Sequence, residues 1–177
     1  GLIDLNHLLE CLDDQTNLVA IIAVNNETGA VQPIAKAIEL VRSYSKSQGR
    51  YIHFHTDAVQ ALCRGLEVSL TSGDSAAVSA HKLGAPVGVG SLWLNSQTKF
   101  EPLLRGGGQE KGRRPGTENV IGMTEFANQV SSLTPVTKYN LEHAKRLHDQ
   151  LVVGATQLGL MVLPQDRLSY PHRYSPY

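Results

Sequence analysis

A chain of 177 residues, 41% of them hydrophobic, has enough apolar mass to bury a core, and its length suits one domain or one large domain with an appendage. Its 16 basic residues balance 16 acidic ones, so no broad positive field exists to hold a nucleic-acid backbone or an anionic membrane, and any anion must be gripped locally. The longest apolar run, residues 18–24, is far short of the roughly 20 residues a spanning helix needs, and Cys11 and Cys63 have neither metal-ligand spacing nor a disulfide framework, which together predict a soluble, cytoplasmic protein without a metal.

In chain order, Leu2, Ile3, Leu5, Leu8, Leu9 and Leu12 recur near helical spacing, and the polar cluster at 13–17 stops that helix. The chain opens without an initiator methionine, as the tail of a helix would, so a preceding segment is expected. Residues 18–24 form a continuous apolar run of strand length, the pattern of a strand covered on both faces. Asn25-Asn-Glu-Thr-Gly29 ends it. From Pro33, a good helix opener, Ile34, Ala37, Ile38 and Val41 predict a helix that leaves near Gln48-Gly49. Residues 51–55 read as a second strand, which makes a βαβ unit and requires a parallel pair.

Residues 76–80 and 88–94 read as two further strands joined by a Gly-Ala-Pro turn at 84–86. Residues 101–118 form a long loop rich in Gly and Arg, and loops of that length are often functional. Helices are predicted over about 119–133 and 138–158, the second carrying Leu141, Ala144, Leu147, Leu151 and Val152 on one stripe. The fold class is α/β, a mostly parallel sheet with helices on both faces. Residues 1–160 make the core of a large domain, and 161–177 an irregular tail.

Ligands in open α/β sheets bind beyond the carboxyl ends of the strands. Three such places are polar here: Asn25-Asn26-Glu27, His55-Thr-Asp-Ala-Val-Gln60 and Ser79-Ala-His-Lys82. Each alone has a plainer reading. The first is an ordinary turn, Asp57 a helix cap accepting from the amide of Val59 or Gln60, and His81-Lys82 a solvated loop. Together on one sheet edge they suit pyridoxal phosphate (PLP). Asp57 could keep a pyridine nitrogen protonated, and Lys82 could form an imine with an aldehyde once burial or a neighbouring cation lowers its pKa. Ser79 and His81 could donate to a phosphate, and Gln60, one helical turn past Asp57, could face the same ring.

These three segments, with Arg105-Gly-Gly-Gly-Gln-Glu-Lys-Gly-Arg-Arg-Pro-Gly-Thr-Glu-Asn119, resemble the cysteine desulfurase and selenocysteine lyase family of the class V aminotransferase fold. The resemblance implies that Lys82 is the Schiff-base lysine, Asp57 the partner of the pyridine nitrogen and Gln60 a donor to the ring oxygen. Asn26 would approach the same side, and Ser79 and His81 would hold the phosphate. Thr117 would reach the phosphate of a neighbouring subunit, which implies a homodimer. The implied reaction converts L-cysteine to L-alanine and passes sulfur to an enzyme cysteine, with a sulfur-acceptor protein and iron–sulfur assembly beyond.

The family's nucleophilic cysteine and its substrate-clamping arginine have no counterpart in these 177 residues, and the ring-stacking residue is expected before Gly1. Cys63 reads as buried or structural. Three readings therefore stand: a segment of a PLP-dependent cysteine desulfurase; an inactive truncated homologue that serves as a fold remnant or interaction partner; and a selenocysteine lyase or another class V reaction.

Overall fold

Four strands form one sheet in the computed structural model, which describes residues 1–64, 66 and 71–163, with 134–141 as backbone only. Strands β1 (Leu18–Ile22), β2 (His53–Asp57) and β3 (Ser75–Ser79) lie parallel in chain order, and β4 (Gly90–Leu94) pairs antiparallel with β3. The helices are α1 (Leu5–Glu10), α2 (Ile34–Ser47), α3 (Val59–Cys63) and α4 (Val120–Gln157). This is the α/β class, with the mostly parallel sheet, that the sequence predicts.

The core lies between α2 and one face of the sheet. Ile34, Ala37, Ile38 and Val41, the spacing legible in the sequence, pack with Val19 of β1 and Phe54 of β2. Leu12 closes the same cluster behind α1, whose start is capped by the Asp4 carboxylate accepting from the amides of Asn6 (2.9 Å) and His7 (3.2 Å).

Burial along β2 alternates strictly: Phe54 and Thr56 are buried, while His53, His55 and Asp57 are half-buried on the opposite face. β1 follows β2 in register, so Leu18, Ala20 and Ile22 share the histidine face. Leu18 is 57% exposed and Ala20 is also exposed. The expectation that β1 is covered on both faces therefore fails within this chain, because α2 shields only the Val19 side.

Two further expectations are corrected. The second strand runs two residues later than 51–55, because pairing with β1 continues to Ile22 opposite Asp57. The helices expected over 119–133 and 138–158 are one continuous helix, α4, running through Pro135. A proline inside a helix forfeits one backbone hydrogen bond, at a cost of about 3 kcal/mol, and here that cost does not end the helix. The anticipated apolar stripe is only partly used: Val152 is buried, whereas Leu147 and Leu151 are exposed. The loop at 101–118 holds a short 3-10 turn, Gln109–Gly112. Of the expected tail, residues 164–177 lie outside the described residues.

Where the strands begin, Asp74 ties the sheet to α2. Its carboxylate accepts from Arg42 Nη2 at 2.6 Å and from the Phe54 amide at 2.7 Å, and its backbone pairs with Phe54 O and the Asn95 amide, both at 2.9 Å. The Arg42 guanidinium also lies 5.8 Å from the Tyr51 ring centre and donates to Ile52 O at 3.2 Å. Burial alone would raise the Asp74 pKa. The hydrogen bonds from Arg42, Phe54 and Tyr51 outweigh it, and the carboxyl is held below its ordinary value.

Candidate functional site

At the opposite end, backbone pairing brings three loops to one edge. Ile22 stands opposite Asp57 and Asp57 opposite Ala77, so β1 and β2 finish level and β3 runs two residues further to Ser79. The Ala23 amide donates to Asp57 O (2.8 Å) and the Ala58 amide to Ala77 O (2.9 Å), carrying the ladder past the strands.

After β1 the chain turns on Asn25, whose Oδ1 accepts from the amides of Glu27 (2.9 Å) and Thr28 (2.8 Å) and from Thr28 Oγ1 (3.1 Å). That turn leaves the neighbouring candidate, Asn26, exposed. It is an ordinary Asx turn, as the plainer reading has it, and it also presents Asn26 outward.

After β2, Asp57 is half-buried and its Oδ1 accepts from the Val59 amide at 3.0 Å. The cap predicted from the sequence is therefore present, although Asp57 is itself the last strand residue and Ala58 occupies the N-cap position of α3. Gln60 lies in the first turn of α3. The Cys63 thiol donates to Gln60 O (3.3 Å) and lies 3.8 Å from Gln60 Oε1.

After β3 comes a 3-10 turn, Ala80–Leu83, which carries His81 and Lys82. It is held by the Ala80 amide donating to Val89 O (3.1 Å) and the Ala85 amide donating to Ala80 O (3.2 Å). Gly84 ends it at φ +84°, a left-handed conformation that suits glycine. The return strand approaches closely, since a Cβ at Gly90 would lie 2.8 Å from Val78 O. Ser79 Oγ and His81 Nδ1 are 2.7 Å apart, so hydroxyl and imidazole are already paired. Lys82 is exposed, and α3 packs against its turn.

Burial pushes the Cys63 thiol up, and the nearby positive charges of Arg64 and Lys82 do not reverse the shift. The thiol therefore stays protonated at neutral pH, a poor nucleophile.

Asp57, Gln60, Ser79, His81 and Lys82 thus share one edge, with Asn26 on the adjoining turn. Thr117 stands apart. It lines a cavity of about 930 Å³ formed with β4 and α4, alongside Arg113, Arg114, Leu92, Phe126 and Val130, and no other candidate lines that space. No lysine lines that cavity, so the candidate site for the expected chemistry is the strand-end edge. The adjoining loop is strained, with Glu110 (φ 49°) and Lys111 (φ 58°) both left-handed without being glycine.

His53, His55 and Ser75 escaped the sequence reading. His55 was visible inside a motif, and His53 follows the same period-2 alternation toward Asp57. Their meeting at Ser75 needs the β2–β3 register, which the sequence does not spell out. Among the described residues, no group of three or more His, Cys, Asp or Glu could hold a metal, and no helix is long and apolar enough to cross a membrane.

The profile of the class-V aminotransferase family matches residues 1–168. Cysteine desulfurase 2 of Trichormus variabilis is 41% identical over 155 residues, which cover 87% of this chain and 37% of that one. Among solved structures, a NifS-like protein superposes with a TM-score of 0.86 at 32% identity, covering 99% of this chain and 46% of the other. SspA in complex with cysteine gives a TM-score of 0.66 at 30% identity, over 78% of this chain and 41% of that one. The chain spans less than half the length of these relatives. With residues 1–168 matched by that profile and the chain superposing on a NifS-like structure, the chain belongs to the class-V aminotransferase family and is similar to its cysteine desulfurases.

Proposed function

We propose that residues 1–160 are the core of the PLP-binding large domain of a cysteine desulfurase, which converts L-cysteine to L-alanine and transfers the sulfur to an enzyme cysteine. The observation that carries this reading is the common direction of three parallel strands, which brings the segments bearing a carboxylate, an amine and a hydroxyl–imidazole pair to one edge of the sheet. The residues fit the cofactor: Asp57 has a carboxylate that accepts a single backbone amide among the described residues, and Lys82 has an exposed amine. When bound, PLP supplies an electron sink for breaking bonds at the substrate's α carbon.

In this reading Lys82 would hold the cofactor through its amine and would carry protons to and from the substrate carbons. Asp57 keeps the pyridine nitrogen protonated, Gln60 donates to the ring oxygen and Asn26 borders it. Ser79 and His81 donate to the phosphate, and Thr117 serves the phosphate of a second subunit in a homodimer. The substrate Cβ–Sγ bond breaks, the sulfur joins a protein thiolate as a persulfide, and Cβ gains a proton to leave alanine. Sulfur could then pass to an acceptor protein and to iron–sulfur assembly. Selenocysteine remains the alternative substrate, and cysteine is favoured by the relative solved with cysteine bound.

One observation favours a second reading, a fold remnant or interaction partner without catalysis. Neither cysteine is placed to attack. Cys63 is kept protonated, and Cys11 follows α1 beside His7, outside the strand-end edge. A transferring thiolate must therefore come from outside these 177 residues. Adding PLP and recording the near-visible spectrum, with and without Lys82→Ala, tests the anchor. An unchanged band in the variant rejects Lys82. Alanine and sulfide released from added cysteine separate enzyme from remnant.

A further inference from the structure

His53 and His55 alternate along β2 and so project from the face that α2 leaves uncovered, the same face as Asp57. His55 lies opposite Ser75 in the parallel register, and Ser75 is buried. Ser75 Oγ stands 2.7 Å from His53 Nε2 and 2.7 Å from His55 Nδ1.

A hydroxyl carries one proton. It can donate that proton to one ring, and it must then accept an N–H from the other. With both rings neutral, one meets the oxygen through a bare nitrogen and the other through N–H. A first added proton fits this arrangement, since the charged ring donates and the neutral ring accepts. A second would aim two N–H groups at one oxygen, leave the hydroxyl proton without a ring acceptor, and set two like charges side by side.

The surroundings act in the same sense. Burial pushes the His55 imidazole down; the Asp57 carboxylate pulls it back up, and His53 adds to the downward push, so the net shift is down. Among the described residues, the titratable groups beside the unit are Asp57 and Tyr51, whose ring meets that of His53 edge-on at 6.4 Å between centres. β1 presents Leu18, Ala20 and Ile22 on this side, and β3 presents Ser75 and Ala77.

We propose that Ser75 ties His53 and His55 into one unit that accepts a first added proton well before a second, and that His55 is a positioning residue that presents a neutral imidazole beside the Asp57 carboxylate. A neutral neighbour leaves the negative charge of Asp57 undivided, whereas an imidazolium there would compete with a ligand cation for it. The second half rests on the reading of Asp57 as the partner of the pyridine nitrogen. The first half stands on the protein alone.

The test follows the ring nitrogens of His53 and His55 by NMR in the full chain across about pH 5 to 8, the range in which histidine titrates. Two protonation steps separated by roughly one pH unit or more are expected, with complementary tautomers at high pH. Ser75→Ala should bring the two steps together. Simultaneous protonation of both rings in the unaltered protein, which requires no variant to fold, overturns the coupling; so does a Ser75→Ala titration that leaves both curves in place.

For the second half, His55→Gln in PLP-loaded protein should keep the visible band but shift the pH midpoint of its colour change. An unmoved midpoint overturns the positioning role. Asp57→Ala measured alongside separates the two failures. A band indifferent to that change rejects the assigned role of Asp57 and leaves the coupling measured on the protein alone intact.

Discussion

Asp74 and Asp57 sit at opposite ends of the same strands and differ in how much of their hydrogen-bonding capacity is spent. Asp74 is buried against Arg42, the Phe54 amide and Tyr51. Asp57 is half-buried, and its carboxylate accepts only the Val59 amide among the described residues. A carboxylate with most of its lone pairs engaged fastens a fold, and one with more to spare can meet a ligand. In this sheet the beginnings of the strands provide the anchorage, and their ends hold the carboxylate with capacity left for the proposed site.

Removing the shared foundation should have the largest effect. Phe54 is fully buried between α2 and the sheet and carries both ends, so Phe54→Ala should cost about 4 kcal/mol in urea denaturation. A loss below about 1 kcal/mol would mean the core is not where the structure puts it.

Asp74→Ala should follow, at about 3 kcal/mol, because it leaves Arg42 without its buried partner. Its signature is also visible in pH. The folded pKa of Asp74 lies below the unfolded value, so its contribution is complete above the ordinary carboxylate range and is lost as pH falls through the folded value. The variant should accordingly show a shallower loss of stability on acidification, read as urea midpoints at several pH values.

Asp57→Ala should cost only about 1 kcal/mol, the size of a lost cap, while changing the spectrum of PLP-loaded protein. A large loss of stability there would erase the contrast between the two aspartates. The smallest effect concerns the thiols. Exposed Cys11 should alkylate before Cys63, whose pKa is raised by burial, and mass mapping of early products checks the order.

Much of the fold was legible because burial imposes period. The spacing of Ile34, Ala37, Ile38 and Val41 announced α2, and the run at 18–24 announced β1. Its second face was misjudged, since an apolar run states what a strand can bury and not what this chain supplies to cover it. The continuity of α4 was not legible, since local sequence alone does not say whether a helix runs through a proline such as Pro135. The strand-end edge was legible from motifs falling after strands. The His53–Ser75–His55 contact was not, because it joins residues far apart in the chain through a register that only pairing decides.

The turn that carries Lys82 is tethered at its start by the Ala80 amide on Val89 O and closed at its end by the Ala85 amide on Ala80 O. With its backbone pinned in this way, the lysine has only its own four-carbon arm to move. Departure from a bound partner and return to it then become rotations about single bonds, fast and local, with no part of the sheet obliged to follow.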